Sequence, residues 1–477
     1  MERLALLPFD NVTGDASLDW VRNAGPAILA EEFVGLPRAT AFRAATTADA
    51  ILGGATRMLH CTYSKRGSSS DAEPALRFEY SFEDVESHKM VETGAADGTI
   101  LFAANTLARK LDPDAKPFST ARPDAATAWG RGEFERATTI DPDFGAAWSD
   151  WVRQLARAGK PDLAVATAER ALARASLRTP YHKARLQYES AVLRKNGPAQ
   201  IAALTALSEI APRDPASWLS LAAAEQTQRN FAAAAGHFRK VLALQPANAG
   251  VMNTLGYAEG EAGNLEAAKS ILGTYGRQPG QETNALDSLG EVHFMNGRFV
   301  DAEKYFLQVA ARDPGFLQGR SLLKAAYAHW LSGDLPGADG IARRYFAASA
   351  ARNDPNTAWR EATWLYTTGR AEQALKKLDS APAAQKVVID RQRMIWRGQA
   401  HFPDDLAQIR AAYFASDPSA DGFPRILYAA ALASQGKTED ARALLKRWPL
   451  PEAIGEPLLQ SLIFPRFLEL RQKLGLK

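Results

Sequence analysis

Apolar and small positions between residues 215 and 314 return at one fixed interval. Trp218, Leu221, Ala222, Ala234, Phe238, Val241 and Pro246 form one set. Thirty-four positions later come Met252, Leu255, Gly256, Ala268 and Leu272, and after the same step Leu286, Leu289, Gly290, Ala302, Phe306, Val309 and Pro314. Self-similarity at this period predicts a helical solenoid, in which each unit is a pair of short helices that buries its apolar side only by stacking on its neighbours. The small residue at Ala222, Gly256 and Gly290 lets the two helices of a hairpin approach closely, and Ala234, Ala268 and Ala302 sit where the next pair meets them. Gly263 and Gly297 fall between helices, where a left-handed backbone ends a helix. The proline near the end of a unit cannot continue one.

Weaker copies flank these three. Phe134, Ala137, Asp141 and Pro142 fit the second half of a unit whose first half is degenerate. Trp148, Trp151, Gly159, Ala164 and Ala171 make the next unit, and Ala191, Ala203, Leu207, Ile210 and Pro215 a third. Beyond Pro314 the register slips by two residues, and Ala326, Gly333, Ala338 and Tyr345, then Ala362, Gly369, Ala374 and Leu378, carry it on. Residues 387–414 have helical character with few landmarks, and Ala429, Gly436, Ala441 and Leu445 close the series. The expectation is a solenoid of about nine units over residues 124–450, with residues 451–477 as capping helices broken at Pro465.

The first 112 residues follow another pattern. Residues 3–9 are an apolar run ending in the polar turn Thr13-Gly14-Asp15, a buried strand delivering into a loop. Ser17 offers a helix cap, and Leu18, Val21, Ile28, Leu29 and Phe33 repeat at helical intervals, with Pro26 expected to kink the helix. Residues 50–63 read as a strand with Gly53 and Gly54 as a bulge. Leu76, Phe78, Tyr80 and Phe82 alternate with Arg77, Glu79 and Ser81, the mark of a half-buried strand. Residues 67–74 would join those two strands as a loose hairpin, and residues 98–111 form an amphipathic helix. The reading is a small α/β domain over residues 1–112. Pro113, Pro117 and Pro123 make residues 113–123 a stiffened linker.

The recurring set resembles the tetratricopeptide repeat, whose pattern of Trp, Leu-Gly, Tyr, Ala, Phe, Ala and Pro it keeps in register over three copies. Leu4-Ala5-Leu6-Leu7-Pro8-Phe9-Asp10-Asn11, followed by Gly14-Asp15 and a helix, resembles the amino-terminal domain of TolB and its FlgO-like relatives, with Ile51-Leu52-Gly53-Gly54 as that family's later strand. The segment between Gly35 and Ala50 is shorter than in that family. The run from Phe464 to Leu476 is similar to the tail seen where both modules share a chain, often behind a kinase, cyclase or winged-helix domain.

The repeat resemblance implies that the first helix of each unit lines a groove. Carried over, its groove positions are Asn253, Tyr257 and Glu261; Asp287, Glu291, Phe294 and Met295; Arg320, Leu323, Tyr327 and Trp330; and Asn356, Trp359, Thr363 and Tyr366. The implied role is a non-enzymatic, bacterial-type scaffold whose groove binds a peptide or helix of a partner protein. Leu219, Ala223, Asn253 and Tyr257 stand where the chaperone-binding subclass has its Lys and Asn clamp, so that activity is not expected. An alternative reading is a sensory or regulatory module whose effector is on another chain or was removed.

Charge and candidate chemistry narrow this further. With 57 Lys and Arg against 54 Asp and Glu, a net +3, nothing argues for nucleic acid or a membrane surface. Glu261, Asp287 and Glu291 also oppose the basic groove that RNA would need. Cys61 is the single cysteine, and seven scattered histidines offer no i, i+4 pair for zinc. The phosphate-binding glycine motifs, the kinase set and Gly-x-Ser-x-Gly are missing from the sequence. No enzyme activity, cofactor or metal is expected. No window reaches the ~20 apolar residues of a membrane span, and the first nine residues make too short a signal peptide. A cytoplasmic protein is expected, or a periplasmic one if a leader or anchor was trimmed.

Overall fold

A computed structural model describes residues 2–66, 75–174, 176–177, 179–380, 428–429, 432 and 436–445. The expected hairpin at 67–74, the helical stretch at 387–414 and the capping helices at 451–477 lie outside them. The described residues fall into two compact units, one of residues 1–224 with 243–246, the other of 225–242 with the residues from 247 onward.

The first unit begins with a six-stranded sheet. Its strands are Glu2–Leu6 (β1), Asp10–Asn11 (β2), Ala39–Arg43 (β3), Arg57–Lys65 (β4), Leu76–Asp84 (β5) and Lys89–Gly98 (β6). They run in the order β3-β1-β4-β5-β6, with β2 also on β4. β1 pairs in parallel with β3 and β4, whereas β4, β5 and β6 are antiparallel, with Cys61 opposite Tyr80. Alternation along the strands sends Leu4, Leu6, Leu59, Tyr63, Phe78 and Phe82 to the face covered by Val21–Glu32 (α1) and Ile100–Leu111 (α3). Ala5, Leu7 and Met58 go to the other face, against Thr47–Leu52 (α2).

Two expectations change here, and a third position, Pro26, shows how the fold accommodates a proline. Residues 50–63 are not one strand. Thr46 caps α2 by accepting from Asp49 N at 3.1 Å, Gly54 turns the chain at φ +74°, and only then does β4 begin. Pro26 sits inside α1, and Arg22 O, the carbonyl that its missing N–H leaves free, accepts from Phe9 N at 3.0 Å. Residues 113–123, expected as a linker, are built into the core. Phe118 lies 5.3 Å from Trp129 and 5.4 Å from Phe144 between ring centres, and Lys116 N donates to Glu32 O at 3.0 Å. Thr120 Oγ1 donates to Asp141 Oδ2 at 2.6 Å.

That core therefore continues from the sheet into the first of the unit's helix pairs, as far as Ala147, and the later pairs pack in clusters of their own. The pairs are Pro123–Gly130 with Phe134–Ile140 (α4, α5), Gly145–Arg157 with Pro161–Leu172 (α6, α7), and Pro180–Leu193 with Gly197–Ile210 (α8, α9). The boundary between units falls in Pro215–Thr227 (α10) and Phe231–Leu244 (α11). The second unit pairs Ala249–Glu261 with Leu265–Gly276 (α12, α13), Glu282–Met295 with Phe299–Arg312 (α14, α15), Arg320–Leu331 with Leu335–Ala351 (α16, α17) and Thr357–Thr367 with Ala371–Leu378 (α18, α19). Thr438–Leu445 (α20) carries the buried Ala441 of the last expected repeat. The fold is an α-solenoid of helix hairpins preceded by a small α/β region. Among the described residues no helix is long and apolar enough to cross a membrane.

The repeat period is visible in the helix starts. Second helices begin at Phe231, Leu265 and Phe299, each 34 after the last, and then at Leu335 and Ala371, each 36 after the last. The extra residues at the first slip belong to a 3₁₀ turn at Phe316–Gly319, where Leu317 (φ 47°) and Gln318 (φ 60°) are left-handed. Arg352 Nη2 holds that turn by donating to Gln318 O at 2.7 Å.

The small-residue position does what its place in the repeat implies. A Cβ on Gly256 would stand 2.5 Å from Leu272 Cγ, and one on Gly290 would stand 2.5 Å from Phe306 Cε1. Phe306 is buried and cannot move aside. Gly290→Ala gains about 1 kcal/mol in helix propensity but overpacks a closed hairpin at about 1–3 kcal/mol. The expected result is a net loss, read as a lower urea midpoint, and a raised midpoint would show that the hairpin is looser than described.

Candidate functional site

The first helices of the second unit lie side by side, α12 packing on α14 and α14 carrying contacts on to α16. Between them runs a chain of polar groups, of which Asp287, Ser288, Ser321 and Lys324 are buried and Asn253, Tyr257 and Glu291 partly so. Tyr257 OH on α12 donates to Glu291 Oε2 at 2.5 Å and lies 3.2 Å from Ser288 Oγ, both on α14. Ser288 Oγ in turn donates to Asn253 Oδ1 at 2.8 Å. From α16, Ser321 Oγ donates to Asp287 Oδ1 at 3.1 Å, and Lys324 Nζ donates to Asp287 Oδ2 at 2.7 Å and to Glu291 Oε1. Lys324 also lies 5.5 Å from the centre of the Phe306 ring. Lys324 is 5 % exposed and Asp287 3 %. Polar groups this deep must be paired, and here each carboxylate has a donor.

Electrostatics follow from that depth. Burial pushes the Glu291 carboxyl above its ordinary value, with Lys324 pulling it back. Burial works against the Lys324 ammonium, but Glu291 and Asp287 outweigh it and hold its pKa above the usual lysine value. Burial, and then Glu291, raise the Tyr257 hydroxyl, which stays a neutral donor. The network thus ties three consecutive first helices, α12, α14 and α16, to one another. Lys324 was not foreseen, because a lysine in an alanine-rich helix reads as a solvated charge until its carboxylates are known to lie on the neighbouring helix.

The structure brings Asn253, Tyr257, Asp287 and Glu291 together, as the groove positions require, but turns them toward one another. Asp287 is corrected from a surface position to a buried partner of Lys324. Five further expectations are corrected because the side chains are buried: Phe294, Met295, Leu323, Tyr327 and Thr363. The Phe294 ring packs edge-on against Phe299 at 5.3 Å, and Tyr327 packs edge-on against Trp364 at 5.2 Å. Leu323 belongs to the same apolar cluster. Thr363 Oγ1 donates to Trp359 O within its own helix at 2.8 Å.

Glu261, Arg320, Trp330, Asn356, Trp359 and Tyr366 remain half-buried. Glu261 accepts from Gln226 Nε2 at 3.3 Å, and burial raises its pKa. Arg320 Nε donates to Leu317 O at 3.0 Å. Trp359 and Tyr366 each pack against the cluster of Ala362, Ala374 and Leu378. Among the described residues no three His, Cys, Asp or Glu side chains converge as a metal site.

No protein-family model matches this chain, and no curated protein is similar to it in sequence. Solved structures are similar to parts of it, some of them titled as tetratricopeptide repeat proteins. One is the MamA protein, at 16 % identity over 36 % of this chain and 94 % of that one, with a TM-score of 0.31. PilW, titled a widely conserved type IV pilus biogenesis factor, is 18 % identical over 43 % of this chain and 92 % of its own, with a TM-score of 0.32. A tetratricopeptide repeat protein from Parabacteroides merdae is 14 % identical over 61 % of this chain and 99 % of its own, with a TM-score of 0.33.

Proposed function

We propose that this chain is a non-enzymatic interaction scaffold whose second unit binds a peptide or helix of a partner protein on its first-helix side. One observation carries the reading. Arg320, Trp330, Trp359 and Tyr366 stay partly open on the consecutive first helices α16 and α18, while Tyr327 and Trp364 lie buried beneath them as a support. Aromatic and arginine side chains on a rigid wall bury large area at small entropic cost, and such residues dominate binding energy where they become fully enclosed. The Lys324 network holds α16 to α14.

The test uses the full chain to capture partner proteins from its source cells. Trp359→Ala with Tyr366→Ala removes the open aromatic pair on α18, and Val300→Ala alters the exposed flank of α15 as a control. The expected result is a loss of ten-fold or more in apparent affinity, about 1.4 kcal/mol, for the α18 pair alone, with an unchanged helical circular dichroism spectrum. Equal capture by the wild type and the α18 pair variant removes the groove assignment.

A second reading is favoured by the continuity of the sheet core with the first hairpins through Phe118 and Trp129. A regulatory module of the kind implied by the TolB resemblance needs its α/β part coupled to its repeats, and this shared core supplies the coupling. A kinase, cyclase or winged-helix regulator fused or encoded beside the gene is the expected correlate, and an isolated locus counts against it. A cytoplasmic setting, and a partner that is protein and not nucleic acid, belong to both readings.

A further inference from the structure

Within the first unit a cleft of about 280 Å³ opens between the edge strand β3 and the end of α1 on one side, and α6, α8 and the turn after α9 on the other. Its walls carry five arginines, Arg3, Arg43, Arg153, Arg185 and Arg213, against three carboxylates, Glu31, Asp150 and Asp214. Three of the arginines are occupied. Arg3 donates to Gly53 O at 2.8 Å and Gly54 O at 3.1 Å. Arg153 pairs with Asp150, and Arg185 lies 3.5 Å from Glu189 and 3.4 Å from the Tyr181 hydroxyl. Arg43 and Arg213 have no ion-pair or hydrogen-bond partner among the described residues.

A second observation points the same way. His182 is 2 % exposed and lines the cleft, yet neither ring nitrogen makes a hydrogen bond. Its Nε2 lies 3.0 Å from Glu31 Oε1, an ion pair when the ring is protonated. Nδ1 of this buried ring is left without a polar partner, and a ligand oxygen would supply one. Burial, and then Glu31 and Asp214, keep the Tyr181 hydroxyl protonated and so able to donate. Phe33, Phe42 and Trp129 supply apolar wall.

We propose that this cleft binds a small organic anion bearing carboxylate or phosphate groups, held by Arg43 and Arg213, with its apolar body against Phe33 and Phe42. Guanidinium groups match both kinds of oxyanion through paired N–H donors. A volume near the lower end of the roughly 300–1,000 Å³ typical of ligand sites admits a metabolite and not a helix. This site is independent of the first-helix groove, so its failure leaves that reading untouched.

The experiment titrates the full chain calorimetrically with inorganic phosphate, a sugar phosphate and a four-carbon dicarboxylate, and repeats each in Arg43→Gln/Arg213→Gln. Neither arginine has a structural partner, so the variant should keep the wild-type unfolding midpoint. At least one probe is expected to bind the wild type, ten-fold or more weakly to the variant, and to weaken as salt rises. Which probe binds separates phosphate from carboxylate recognition. Absence of binding by all three at about 1 mM, or equal binding by wild type and variant, overturns the proposal.

Discussion

Replacing Lys324 by methionine should lower the stability of the second unit by about 3–5 kcal/mol, because it leaves one buried and one partly buried carboxylate without their cation. The side chain is replaced by one of similar length, so lost packing contributes little. Lys324 Nζ donates to both Asp287 and Glu291, and Asp287 is too deep to recruit water easily. Adding Asp287→Asn and Glu291→Gln to the variant should restore most of the loss, since the uncompensated charge is then gone.

The pH dependence has a definite sign. Glu291 has a folded pKa raised above its ordinary 4.5, so its ionisation costs stability, and this cost vanishes as pH falls below that range. Lys324 is also raised above its ordinary 10.5, so its contribution is full below that value and is lost as pH rises through its folded pKa. Without the lysine, whose charge pulls Glu291 back, the Glu291 carboxyl rises further. The deficit of Lys324→Met, measured by urea unfolding, should therefore shrink between about pH 8 and about pH 5. A deficit that is small at both values would mean that the network is solvated.

The second large effect is expected at Tyr327. Its ring is 1 % exposed and packs against Trp364 in a cluster with Phe294, Phe306 and Tyr345. Truncation to alanine leaves a cavity that close-packed helices fill poorly, at about 3–5 kcal/mol. Trp330, three residues along α16, is only half-buried, and Trp330→Ala should cost far less in the same unfolding measurement. A Tyr327→Ala variant as stable as Trp330→Ala would return Tyr327 to the groove surface.

That pair shows where sequence reading ends. Helical spacing places Tyr327 and Trp330 on the repeat, but which of two aromatics so close together faces the neighbouring helix depends on the rotation of α16. The left-handed turn at Leu317 and Gln318 precedes that helix, and its geometry is not written in residue type. Gly256 and Gly290, by contrast, were legible, because a crossing of two helices admits only a small residue and the 34-residue step repeats it. In the α/β region Leu76, Phe78, Tyr80 and Phe82 were legible for a similar reason, one face of β5 being buried and the other open.

β6 was missed because Met90 and Val91 lie exposed, leaving no alternation to read. α2 was mistaken for strand because Ile51 and Leu52 are apolar yet exposed. The arginine cleft could not be anticipated at all. Its residues come from positions between 3 and 215 that only the fold assembles.

The claim on which the functional reading rests is that partners dock on the first-helix side of the second unit. A photoreactive residue placed at position 359 on α18, or at position 300 on α15, in the full chain tests it most directly. Covalent adducts to a partner protein are expected from position 359 and not from position 300. Adducts from position 300 alone, or from neither, would contradict it.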